Sequence, residues 1–253
     1  MIKISDSTVS KNELMKGYQI NSMENKIINK LFLSKKIYTY SSLNELKFQL
    51  NLQTNICVSA KDMSKSNLLF KVFRKSKCNS KYWDHTNEGG FLLKKEVKPS
   101  DAIKDIFINS SKYGTECSTA IVIIYYKALV NVLPEKLFNK MFPNIHLLNW
   151  HYLNENLYIE EFRDETDVLM GDCKYFKNPD VNPLTPQWQG ENTIYLGNGT
   201  YYGHGLGVKN TEEIIKSLNK NRKIAAKQSA FLLNSATRLN YKHLYDECSS
   251  ILI

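Results

Sequence analysis

Residues 115–133 read Thr-Glu-Cys-Ser-Thr-Ala-Ile-Val-Ile-Ile-Tyr-Tyr-Lys-Ala-Leu-Val-Asn-Val-Leu, and this stretch decides the fold. Ala120 to Tyr126 is apolar on every side, a pattern that suits a buried strand as well as a buried helix. The apolar character continues past Lys127 through Ala128, Leu129, Val130 and Val132 to Leu133, which is too long for a typical strand. The spacing therefore predicts a buried central helix starting near Thr115, after the Gly114 break.

Upstream, Ser42-Leu43-Asn44-Glu45 has the form of a capping box, and Leu43, Leu46 and Leu50 follow at helical spacing, predicting a helix toward Asp62. Asn67 to Arg74 and Phe91 to Val97 resemble strands and suggest an antiparallel ribbon. Pro99-Ser100-Asp101 opens a helix through Phe107, and Pro134 a short one through Phe142.

The second half changes character. Ile145 to Tyr152, Leu157 to Phe162, Cys173 to Phe176 and Thr193 to His204 read as strands. Two helices close the chain, one from Asn210 with Glu213 as a capping box, the other over roughly Lys223 to Leu239. Helices first and a mostly antiparallel sheet next make an α+β fold rather than alternating βαβ units.

No repeat or long linker divides the 253 residues, so a single domain over 1–253 is expected. With 42% hydrophobic and 23% charged residues, the composition is that of a globular protein. No apolar run approaches the roughly 20 residues of a membrane span, so no membrane partner is expected. Met1 to Gly17 carries Lys3, Asp6, Lys11, Glu13 and Lys16 without the apolar core of an export signal, so function inside a cell is expected.

The net charge of +9 would suit nucleic acid or acidic proteins. Its lysines are scattered, and the stretch around Lys216 to Lys227 reads as a solvated helix face, so no nucleic-acid partner is expected. Five cysteines, at 57, 78, 117, 173 and 248, form no C-x-x-C pair and no His cluster at ligand spacing. Free thiols are expected, with no metal site and no cofactor.

Cys117 falls in the first turn of the central helix, where unpaired N–H groups and the helix dipole favour a thiolate. Cysteine is also among the commonest buried residues, so position alone leaves nucleophile and packing open. Asn198-Gly199 is the preferred centre of a type I′ hairpin. Pairing Gly197 with Thr200 then sets Thr193 opposite His204 and Glu191 opposite Leu206, making Glu191 and His204 diagonal neighbours on one face. A carboxylate, an imidazole and a thiol brought alongside have the chemistry of acyl transfer, although a structural hydrogen bond would use the same pair. Glu116 is a second carboxylate beside the thiol, or simply an acid complementing a helix start.

Five strings carry a family resemblance: TECST at 115–119, AIVIIYYKAL after it, GDCKYFKNPD at 171–180, QWQGEN at 187–192 and YYGHGLG at 201–207. In order and spacing they resemble the transglutaminases of spore-forming bacteria, with weaker similarity from about Tyr38 to Tyr241. The resemblance implies a calcium-independent protein-glutamine γ-glutamyltransferase on a papain-like core, the nucleophilic cysteine at the start of a buried helix against the sheet. It places the nucleophile on Cys117, the catalytic glutamate on Glu191, the histidine on His204 and a partly redundant glutamate on Glu116.

Further implications are Trp150 and Trp188 as substrate-binding walls that exclude water, although large aromatics filling a core would use the same positions, and spore-coat proteins carrying Gln and Lys as partners; a monomer is expected. Residence in the coat, by way of the mother-cell cytoplasm, follows from the same likeness. Ser118 stands where alanine is expected and Gln189 where arginine is expected, while Asn154 to Met170 differs in length and composition, which bears on substrate access. Two other readings use the same residues: a cysteine peptidase or amidase, and a non-catalytic coat protein binding acidic partners.

Overall fold

The central helix runs from Cys117 to Val132, and Ala120 through Tyr126 are each at most 1% exposed. It needs no polar face because it has neighbours all round: the helix Leu43–Lys65, the helix Pro99–Ile108 and the sheet strand Gly190–Gly197. Burying each of Ile121, Ile123 and Ile124 contributes about 1.5–3 kcal/mol. A computed structural model describes residues 1–163, 165 and 167–251.

The local start signals operate as read. Ser42 Oγ accepts from the Glu45 N–H at 3.2 Å, while the Glu45 carboxylate takes the Ser41 N–H at 2.6 Å, one residue earlier than a strict capping box. The box at Asn210 and Glu213 is reciprocal and opens the helix Thr211–Asn219.

The main sheet is antiparallel throughout. In order it contains Gly207–Asn210, Thr200–Gly203, Gly190–Gly197, Cys173–Lys177, Ser235–Leu239 and Ile159–Arg163, with Phe231–Leu232 also on Cys173–Lys177. The large core lies between this sheet and the helices. A second cluster of Phe176, Tyr201, Ile214, Leu218 and Ala230 packs under Thr211–Asn219. The architecture is α+β with the helix that Cys117 opens set against the sheet, as in a papain-like core.

Three expectations are corrected. The runs near Asn67 and Phe91 do not pair with each other. A turn joining Thr86 and Gly90 sets Phe91–Leu93 against Trp83–His85, and Leu69–Phe70 pairs in parallel with Gly114–Thr115. That parallel pairing brings Phe70 beside the start of the central helix.

Lys223 to Leu239 is not a helix. Ala225 takes φ +58, and the Asp180 carboxylate accepts the N–H groups of Lys227 and Gln228, which fixes a loop. Ser235–Leu239 then fills a slot between two strands, where Arg238 reaches Asp172 at 2.7 Å, and the last helix is Tyr241–Ile251. Tertiary pairing overrides local helix preference there.

The hairpin register is the third. Asn198 and Gly199 turn with φ +51 and +69, and Gly197 pairs with Thr200, but Leu196 is bulged out between Tyr195 and Gly197. Thr193 therefore faces Gly203, and His204 lies beyond the strand's end. Among the described residues no helix is long and apolar enough to cross a membrane.

Candidate active site

Glu116 caps the helix that Cys117 opens. Its Oε2 accepts from the Ser118 N–H and Oγ, both at 2.6 Å, and its Oε1 from the Thr119 N–H at 2.7 Å. Two of the first-turn donors are thus already spent on a buried carboxylate. The expected thiolate is corrected: burial of the sulfur is the largest cause, and the positive helix end is already met by a carboxylate before it reaches the sulfur.

Cys117 forms part of the floor of a cavity of about 380 Å³. The residue keeps some surface toward it while protein surrounds most of the sulfur. Burial pushes the thiol well above its ordinary pKa, the charges of Glu191 and then Glu116 push it further, and the Asn192 N–H groups oppose them. Asn192 Nδ2 lies 3.7 Å from Sγ, so the hairpin strand and the helix start do meet.

Glu191 is 1% exposed, and among the described residues neither carboxylate oxygen has a hydrogen-bond partner. It rests against Gly203, where a Cβ would come within 2.9 Å of Oε1. Burial raises its pKa well above the usual carboxylate value and the Glu116 charge adds to this. The backbone N–H of His204 acts weakly the other way without completing a hydrogen bond.

His204 is also buried, yet both ring nitrogens are occupied away from the thiol. Nε2 meets the Leu69 carbonyl at 3.2 Å and Nδ1 the Tyr202 hydroxyl at 3.0 Å. The carbonyl can only accept, so Nε2 carries the proton and Nδ1 accepts from Tyr202. Burial lowers the imidazole pKa, which keeps the ring neutral. It fastens the hairpin end to Leu69–Phe70, beside Glu116.

The two tryptophans do not line the cavity. Trp188 stacks behind Phe70 with ring centres 5.6 Å apart, and Trp150 packs on the main core. Phe70, Phe73 and Tyr175 supply the aromatic walls, with Gln187 and Gln189 at the mouth. Gly190 makes room for Tyr175, because a Cβ there would fall 2.0 Å from its hydroxyl. No described residue of Asn154 to Met170 lines the cavity; Asp164 and Thr166 of that segment lie outside the described residues.

Reading the sequence missed Phe70, Tyr175 and Asn192. The last had one signal, its place next to Glu191 in the strand.

The family model described as protein-glutamine gamma-glutamyltransferase matches residues 1–248. The protein-glutamine gamma-glutamyltransferase of Bacillus cereus (strain B4264) is 46% identical over 217 residues, covering 86% of this chain and 78% of the relative. That of Bacillus mycoides (strain KBAB4) is 47% identical over 207 residues, covering 82% and 74%. Among solved structures, the transglutaminase from Geobacillus stearothermophilus without its C-terminal extension is similar with a TM-score of 0.78 at 47% identity, over 81% of this chain and 97% of that one. An α+β core with a cysteine at a buried helix start, matched along nearly its whole length, belongs to the transglutaminase family, the protein-glutamine γ-glutamyltransferases.

Proposed function

We propose that the chain, acting as one domain and as a monomer, joins proteins through ε-(γ-glutamyl)lysine isopeptide bonds by way of a thioester on Cys117. The observation that carries this reading is a thiol lining the cavity with a buried carboxylate, Glu191, that has no hydrogen-bond partner among the described residues. An unpaired buried carboxylate is a strong base once ionised, because taking up a proton removes an uncompensated buried charge. Glu116, held by three donors, serves the helix start instead.

In the first half-reaction the Cys117 proton passes to Glu191 and the sulfur attacks the γ-carboxamide carbon of a protein glutamine. The C–N bond breaks as Glu191 returns the proton to the leaving nitrogen, and ammonia departs. In the second, a lysine amine attacks the thioester and gives a proton to Glu191. The C–S bond breaks, and the sulfur recovers the proton.

Water competes with lysine, so the aromatic walls favour transfer by limiting solvent at the thioester. Trp188 takes part by supporting Phe70. Calcium independence and spore-coat substrates are what the family likeness supports, and the first is tested together with the chemistry. The protein is mixed with a glutamine-bearing protein and a fluorescent primary amine in a calcium chelator. Incorporation of the amine, abolished in Cys117→Ala, is the expected result; ammonia release without incorporation would make the enzyme an amidase.

A further inference from the structure

The electron pair left on Cys117 when its proton departs needs hydrogen-bond donors, and the helix supplies fewer than its position suggests. The N–H groups of Ser118 and Thr119 are bound to Glu116, and both neighbouring carboxylates repel negative charge on sulfur. The donors that oppose them belong to one residue of the hairpin strand. Asn192 lines the cavity, pairs across the sheet with Tyr175, and aims Nδ2 at Sγ from 3.7 Å.

What orients that amide is visible on the next strand. Cys173, 3% exposed, donates its S–H to Asn192 Oδ1 at 3.9 Å. Burial pushes the Cys173 thiol up to about 12, so it stays protonated and remains a donor at working pH. An amide turned over would set its NH₂ against that S–H and its oxygen against Cys117. That arrangement would turn an oxygen toward the sulfur and repel the thiolate, so the observed orientation, with Oδ1 on the Cys173 S–H, is the one that stabilises charge on Cys117.

We propose that Asn192 is a catalytic residue that hydrogen-bonds the developing charge on the Cys117 sulfur, and that Cys173 is the residue positioning it by holding Oδ1. The assignment rests on Cys117 being the nucleophile. It does not alter the proton's route, which remains from Sγ to the Glu191 carboxylate, with the electron pair kept on sulfur. Tyr175, Glu116 and Glu191 are the other titratable groups felt there, and none of them supplies a donor to Sγ among the described hydrogen bonds.

Two measurements on the intact protein test it. One is steady-state transfer with a glutamine peptide and a primary amine, giving kcat and KM. The other is the pH dependence of Cys117 alkylation by iodoacetamide, followed by mass spectrometry of the peptide containing that residue, which needs no transfer activity.

Asn192→Ala is expected to lower kcat about 10-fold with KM within about twofold, and to move the alkylation midpoint up by about one pH unit. Cys173→Ala is expected to lower kcat about threefold, and Cys173→Ser, whose hydroxyl still donates, to restore it to within about twofold of the parent. The serine rescue carries the test even if Asn192→Ala does not fold.

The proposal is overturned if Asn192→Ala leaves both kcat and the alkylation midpoint unchanged, or if Cys173→Ala and Cys173→Ser behave alike. Full transfer by Cys117→Ala would instead overturn the nucleophile itself, a separate outcome from either of these.

Discussion

Glu191 keeps its carboxylate against the backbone of Gly203: a Cβ at that glycine would stand 2.9 Å from Oε1 and 3.0 Å from Cγ. The first glycine of YYGHGLG thus leaves space for the Glu191 side chain. Gly203→Ala is expected to displace the carboxylate and lower kcat about 10- to 100-fold. Overpacking costs about 1–3 kcal/mol, read as a lower Tm. An alanine variant with parental kinetics would show that the carboxylate's position is not critical.

The two glutamates are expected to separate by kind of defect. Glu191→Gln removes the proposed base, and a loss of about 100- to 10,000-fold in kcat with little loss of Tm is expected, since the carboxylate has no partner to lose among the described residues. Glu116→Ala removes a helix cap and is expected to cost about 1–2 kcal/mol of stability. Kinetics and thermal melts on both variants check this, and a reversed pattern would move the base to Glu116.

Activity and stability should respond oppositely to pH. Glu191 must be ionised to act, and burial raises its pKa well above the usual carboxylate value, so kcat/KM is expected to fall on acidification well before an ordinary glutamate protonates. The limb belongs to the Glu191 and Cys117 pair rather than to either residue. For stability, a folded pKa above the unfolded one means a contribution that is full at low pH and lost as pH rises through the folded value. Glu191→Gln should remove that slope from the stability profile. A kcat/KM profile with its acid limb at the ordinary glutamate value would contradict the assignment.

Arg238 and Asp172 form a buried ion pair at 2.7 Å, with the guanidinium 4.7 Å from the Phe162 ring centre. Even with that partner, burial pushes Asp172 up to about 6. Arg238→Met leaves the carboxylate without its charged partner, with the Leu169 N–H at 2.7 Å remaining, and is expected to cost about 3–5 kcal/mol at neutral pH. The deficit should shrink toward pH 5, because losing the guanidinium raises the folded Asp172 pKa further and a protonated acid needs no partner. Denaturant melts at both pH values measure it; an equal deficit at each would mean that Asp172 does not titrate.

What was legible in the chain is what nearest neighbours decide. Ser42, Asn210 and Pro99 mark helix starts through their own backbone surroundings, and Asn198-Gly199 supplies two positive φ angles for a turn. The bulge at Leu196 was not legible, since it follows Gly197 at φ +94, which packs against Met170 from a distant segment. Ser235–Leu239 was misread for the same reason, its partners being Cys173–Lys177 and Ile159–Arg163. At the site, Cys117, Glu116 and Glu191 come from the sequence motifs. The occupied ring nitrogens of His204 and the reach of Asn192 depend on contacts made only after folding.

The carboxylate cap on the central helix also bears on durability. Peroxides and other oxidants attack thiolates, and a sulfur that rests protonated beneath aromatic walls presents little of that form to them. Holding Cys117 neutral between turnovers therefore spares the proposed nucleophile from sulfenic acid formation.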